Sequence, residues 1–310
     1  MARVQERQTH TDGSESTRFA WQQILLALVA VGIWGANFVA IKVALRTLPP
    51  LFLCALRFTL VAFPLVFFLP RPALTWPQLF AYGLTMFGFH FGFLFLGMAL
   101  GMSAGLASLA LQFQVFVTLA LAVVFLKEKL TLWQILGAAT ALAGLGVVAV
   151  NSGGDVTLVG LAAVLLAATS WGCANFLSKC LGRVNPLALV AWGSLVVPVP
   201  MGIASIIFEG PGAIQTGLSA SNGLTLVSVL FIVYLSTHVG YSLWGWLLAR
   251  HPASSVAPFT LLVPIIGMLT SAWLLSEPLP AWKLQAAALV VGGLVLNFIG
   301  SRSRLPKRRA

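Results

Sequence analysis

Ten apolar runs, each long enough to cross a lipid bilayer as a helix, fix what this chain can become. A helix needs about 20 residues at 1.5 Å rise to traverse a hydrocarbon core of roughly 30 Å. The runs lie near 23–45, 49–69, 77–99, 102–126, 131–150, 158–181, 185–208, 223–249, 252–275 and 280–300. Lipid offers backbone N–H and C=O groups no partner, so a spanning segment must be a helix or part of a closed barrel. These runs are continuous and rich in Leu, Ala and Val, without the two-residue alternation of a barrel strand. They predict helices. Only 8% of the residues are charged, against roughly 25% in a soluble domain, so lipid must be the main solvent.

Charge orients the stack. With the amino terminus in the cytoplasm, the cytoplasmic segments hold Arg3, Arg7, Arg18, Arg71, Lys127, Lys129, Lys179, Arg183, Arg250, Arg302, Arg304, Lys307, Arg308 and Arg309. The opposite side receives Lys42, Arg46 and Lys283, and Arg57 falls inside a span. By the positive-inside rule both termini are cytoplasmic, which requires an even number of spans. The net charge of +11 is therefore a mark of topology and not of a nucleic-acid partner. Cys54, Cys173 and Cys180 lie in or beside apolar runs without metal-site spacing and read as small hydrophobes. The first run, at 23–45, has no small-residue cleavage signal near its end and reads as a retained span.

The chain also repeats itself. Leu126-Lys127-Glu128-Lys129-Leu130 followed by Trp133 matches Leu275-Ser276-Glu277-Pro278-Leu279 followed by Trp282. Trp34-Gly35-Ala36-Asn37-Phe38 echoes Trp171-Gly172-Cys173-Ala174-Asn175-Phe176, and Lys42 and Lys179 stand at equal distances beyond their tryptophans. The expected organisation is a disordered cytoplasmic tail at 1–22, a five-helix unit at 23–150, a linker at 151–157, a second unit at 158–300 and a basic cytoplasmic tail at 301–310. Five is odd, so the two units are expected to be inverted. Such repeats place a substrate site near the bilayer midplane where the halves meet. The fold expected is an all-α membrane protein of ten helices in two inverted five-helix repeats.

These same motifs, with Leu56-Arg57-Phe58 in the second run, resemble the EamA family of the drug/metabolite transporter superfamily. The stretches Leu106–Gln114 and Val256–Pro264 are similar to the bacterial O-acetylserine/cysteine exporters of that family. The resemblance implies a ten-helix inner-membrane exporter of amino-acid-like metabolites.

Polar groups inside spans face protein or water because lipid penalises them. Arg57 sits mid-span, where a charge costs about 2.5–3.5 kcal/mol to insert. It is either a counter-ion for a substrate carboxylate or a structural bond to another span. Tyr234, His238 and Tyr241 fall on one face at helical spacing and suggest a cavity wall. Trp34, Asn37, Trp171 and Asn175 are expected beside them. Lys42 and Lys179 read as membrane-edge anchors. Gln112 and Gln114 stand about 200° apart on an α-helix. Gln112 is assigned to a small-residue packing face with Gly101, Gly105 and Ser108, and Gln114 to the cavity. His90 is either a cavity residue or a packed one. Pro258 and Pro264 in the ninth run have the non-proline counterparts Leu109 and Val115, which predicts mechanically unequal halves.

All seven acidic residues map to tails or loops: Glu6, Asp12, Glu15, Glu128, Asp155, Glu209 and Glu277. With no carboxylate in a span, transport is expected to run by facilitated diffusion or exchange, or through His90 or His238 as proton carrier. An enzyme would need titratable pairs or a metal cluster inside the membrane, and a channel a charge ring or filter loop. The sequence offers neither. No catalytic residue, metal or cofactor is expected; the expected partners are a small-molecule substrate and the lipid bilayer.

Overall fold

The structure, a computed structural model, describes residues 21–154, 156–182 and 184–302. Ten helical rods carry most of them: α1 (Trp21–Ala44), α2 (Pro50–Val66), α3 (Trp76–Ala99), α4 (Ala104–Leu126) and α5 (Leu132–Val150) precede the central turn. After it come α6 (Leu158–Cys180), α7 (Pro186–Phe208), α8 (Gly223–Arg250), α9 (Ala257–Leu275) and α10 (Ala281–Arg302). Nine of these are long and apolar enough to cross a bilayer. The other, α2, has 17 residues, the short end of the range for a spanning helix, about 17–25. Among the described residues the only β structure is a bridge between Gly153 and Val156 in the central turn. The tails expected at 1–22 and 301–310 lie largely outside the described residues. The described parts are helical, since Trp21 already opens α1 and Arg302 still belongs to α10.

Helix starts follow local chemistry. Thr75 and Thr131 form reciprocal capping boxes with Gln78 and Gln134 at the first turns of α3 and α5. Asn185 and Asn222 accept from the free N–H groups that open α7 and α8.

The packing exchanges cleanly between the halves. α1 packs on α9 and α8, and α6 packs on the counterparts α4 and α3. The pairs α2 with α7, α4 with α9 and α5 with α10 are each their own counterpart. The correspondence reaches individual glycines. A side chain at Gly35 would meet Ile266 at 2.5 Å, and one at Gly172 would meet Val117 at 2.6 Å; these are matching positions in the two units. Gly137 faces the Gly293 carbonyl, where a Cβ would come within 2.5 Å, and Gly144 faces that of Ala286. Small residues let backbones approach where lipid gives no hydrophobic push between helices.

The two ends of the bundle differ. At the end away from the termini, Lys42 Nζ donates to the carbonyls of Met98 (2.7 Å) and Met102 (3.2 Å). This side chain is a structural tie. Glu209 accepts from the N–H groups of Leu51 (2.7 Å) and Phe52 (3.0 Å) at the start of α2. Glu277 does the same for Ala104 (2.8 Å) and Gly105 (3.1 Å) at the start of α4. A carboxylate on free N–H groups at a helix start gains from charge-assisted bonding and the helix dipole. Residues Ala104–Ala110 are all buried there, and α1 packs against them. The counterpart contact, between α6 and the first turns of α9, is weaker among the described residues. At that terminal end, Glu128 and Lys179 approach only to 3.9 Å with both side chains exposed, a pair worth little.

Replacing Gly293 by Leu is expected to destabilise the purified protein by about 1–3 kcal/mol through overpacking of the α5–α10 crossing. Thermal unfolding in detergent reads this directly. Gly292→Leu, where a side chain meets nothing within 4 Å, should leave the midpoint nearly unchanged.

Candidate transport site

Four rods depart from α geometry, and they do so in matched pairs. α3 contains a π segment, Leu84–Phe89, and its counterpart α8 contains another, Phe231–Val239. α4 tightens into a 3₁₀ turn at Leu111–Phe113, and its counterpart α9 does so at Ala257–Leu261. The break in α4 arises without a proline. The turn in α4 is three residues long, whereas that in α9 is five residues long and contains Pro258.

These irregular segments surround one central cavity of about 320 Å³, at the lower end of the size range for small-molecule sites, roughly 300–1,000 Å³. The predicted residues Trp34, Asn37, Arg57, His90, Gln114, Trp171, Asn175 and Tyr241 all line it. Ser108, Gln112, Ser236, Trp244 and Thr260 join them.

Each lining group has a definable setting. Arg57 is 1% exposed. One of its nitrogens, Nη2, donates to Thr237 Oγ1 at 3.1 Å, and its Cζ lies 4.0 Å from the centre of the Phe91 ring. Thr237 belongs to the π segment of α8 and donates five residues back to the Ile232 carbonyl. His90 follows the π segment of α3, and its Nδ1 lies 3.1 Å from the Met86 carbonyl. Its ring stacks on Trp171 with centroids 4.8 Å apart and an 11° interplanar angle. Trp34 donates from its indole nitrogen to the Ser236 carbonyl (3.1 Å) and packs on Tyr241 and Trp244. Asn175 Nδ2 donates to Gln114 Oε1 at 2.7 Å. Asn37, its counterpart in the sequence repeat, also lines the cavity and is buried. It stands one residue nearer its tryptophan, and that difference turns it about 100° round its helix.

Tyr234 and His238 are not brought to the cavity. Tyr234 is 40% exposed on the outer face, and its ring lies against His238, whose Nε2 is 3.2 Å from the Val61 carbonyl. The one-face reading assumed α spacing. A π segment bonds i to i+5 and advances less per residue, so Tyr241 leaves the face that Tyr234 and His238 share. Gln112 corrects a second assignment. The about 200° between it and Gln114 is about 160° the other way, and the cavity takes that whole arc, through Leu111 and Val115. Trp244 was legible as the next turn beyond Tyr241. Ser236 carried no sequence signal that set it apart.

A bundle of apolar helices around a polar-aromatic cavity, with matched halves, defines a multi-pass membrane transporter. The profile of the EamA-like transporter family matches residues 21–150 and again 158–299, and the chain belongs to that family. A Salmonella typhimurium protein named "Probable amino-acid metabolite efflux pump" is 40% identical over 289 residues, 91% of this chain and 97% of the relative. An Escherichia coli protein of the same name is also 40% identical, over 90% of this chain and 96% of its own length. A "Probable terminal-alkyne amino-acid exporter" of Streptantibioticus cattleyicolor is 28% identical over 66% of each chain. A solved crystal structure with 19% identity superposes with a TM-score of 0.64 over 92% of this chain and 99% of that one, which supports the fold.

In a background lacking Cys54, Cys173 and Cys180, cysteines placed at Gln112, Gln114 and Ser236 are expected to react with a hydrophilic maleimide. A cysteine at Tyr234 should react much more slowly, since its surroundings are lipid. Mass spectrometry of the labelled protein distinguishes the sites.

Proposed function

We propose that this protein is an inner-membrane exporter of small amino-acid-like metabolites, cysteine and O-acetylserine among them, working by alternating access between two inverted five-helix halves. The observation that carries the reading is the polar-aromatic cavity between matched units, tight at one end and loose at the other. The relatives named as amino-acid efflux pumps support the substrate class.

The termini face the cytoplasm in this reading. Arginines stack on aromatic rings at the terminal end, Arg71 on Trp76, Arg250 on Trp246 and Arg302 on Phe298, as interfacial anchors do. The structure then corresponds to the state open to the cytoplasm, ready to load. Outward opening exchanges counterpart contacts: α1 parts from the start of α4 as α6 closes on the start of α9. Glu277 releases the α4 start, and Glu128, at the matching position, holds α9. Solute replaces its hydration by cavity groups in either state, so the exchange needs no carboxylate in a span.

Overexpression is expected to raise cysteine and O-acetylserine in the medium, and reconstituted vesicles should show saturable, trans-stimulated flux. Flux that never saturates, or tags that map the two termini to opposite faces, would sink this reading. Glu277→Gln removes the charge from the α4 start and is expected to lower trans-stimulated exchange while the protein still inserts. Unchanged exchange would remove Glu277 from the gate.

A further inference from the structure

The cavity holds four buried polar atoms without a hydrogen-bond partner in the protein, and they divide by kind: Arg57 Nε, Arg57 Nη1, Asn37 Oδ1 and His90 Nε2. The two on Arg57 are N–H donors on a fixed positive charge. The other two are acceptors. Asn37 Oδ1 is a carbonyl oxygen. His90 Nδ1 faces the Met86 carbonyl, which can only accept, so Nδ1 carries a proton, and in the neutral form of the ring Nε2 then carries the lone pair. Asn37, Arg57 and His90 are 7%, 1% and 2% exposed, and all line the same cavity. Buried polar groups are ordinarily satisfied, and those left without a protein partner call for water, an ion or a ligand.

We infer that this cavity recognises the zwitterionic head of an α-amino acid, with Arg57 taking the carboxylate and Asn37 and His90 taking the ammonium. A guanidinium with two adjacent N–H groups suits a carboxylate in bidentate fashion. An ammonium has donors only, which suits an amide oxygen and an imidazole lone pair. Phe91 touches both poles: its ring centre lies 4.0 Å from Arg57 Cζ and 4.2 Å from the centre of the His90 ring. The side chain of the ligand then turns toward the indole walls of Trp34, Trp171 and Trp244, which tolerate varied groups. No carboxylate is needed for the ammonium, in keeping with the absence of acidic residues from the spans. A simple amine leaves Arg57 unmet, and an N-acylated acid leaves Asn37 and His90 unmet. Each should bind poorly.

This inference rests on the exporter reading, and equilibrium binding separates the two. Calorimetric titration of the purified full chain uses L-cysteine, L-cysteine methyl ester and N-acetyl-L-cysteine under reducing conditions. The free amino acid is expected to bind about ten-fold or more tightly than either blocked form, since each loses charge-assisted hydrogen bonds at one pole. Arg57→Gln should erase the discrimination against the ester and keep that against the N-acetyl form. Asn37→Leu should weaken only the discrimination against the N-acetyl form. Equal affinity for all three ligands in the wild-type protein overturns the inference, as does no binding of any, whatever the variants do. Selective binding without vesicle flux would leave the inference standing and remove the exporter reading. Flux with no selectivity does the reverse.

Discussion

In a bilayer the hydrophobic effect does not press helices together, because lipid tails are as apolar as leucine. Close backbone approach must supply the contact, and in this protein it depends on a few positions without side chains. Gly35 against Ile266 and Gly172 against Val117 dock α1 on α9 and α6 on α4. Gly137 and Gly144 bring α5 onto α10. These crossings hold the rods in register, and the tryptophan before Gly35 and the one before Gly172 are thereby turned toward the centre. The aromatic wall of the cavity follows from where the helices can touch.

Between those crossings the helices cannot all remain α-helical. π and 3₁₀ segments release or tighten the backbone at matched levels of α3, α8, α4 and α9, and such irregular turns recur at functional sites. The π segment of α8 presents Thr237 to Arg57, and that of α3 is followed by His90. A mid-membrane arginine with one hydrogen bond and an aromatic ring under it is stabilised only in part, and its Nε and Nη1 are left without a partner in the protein. The same irregularity that costs backbone regularity therefore stands beside the polar groups of the proposed solute site.

The asymmetry between the ends has an electrostatic basis. Two carboxylates, Glu209 and Glu277, sit on the exposed N–H groups that open α2 and α4. A helix start carries a partial positive charge, so one acidic side chain there replaces several water contacts and draws neighbouring rods together. At the terminal end the corresponding acidic residue, Glu128, instead meets Lys179 across 3.9 Å near the surface. Matched halves with one end fastened in this way suit the exchange of counterpart contacts proposed above.

The sequence by itself determined the helices, their approximate limits and the internal correspondence, because lipid allows a spanning segment few alternatives and because Trp-Gly and Glu-x-Leu turns recur at fixed offsets. It also singled out Arg57, His90 and the Trp34 and Trp171 neighbourhoods, since a polar or bulky aromatic side chain in an apolar run has few acceptable surroundings. What the tertiary structure decided was rotation. Tyr234 and His238 share an α-helical stripe with Tyr241 at α spacing, and Gln112 stands about 200° from Gln114. The first expectation rests on a constant turn of about 100° per residue, and the second on a cavity narrower than the arc of about 160° that it takes. Helix packing replaced that constant with π and 3₁₀ turns at the very level of the cavity, and only the folded bundle shows which donors and acceptors are left without partners there.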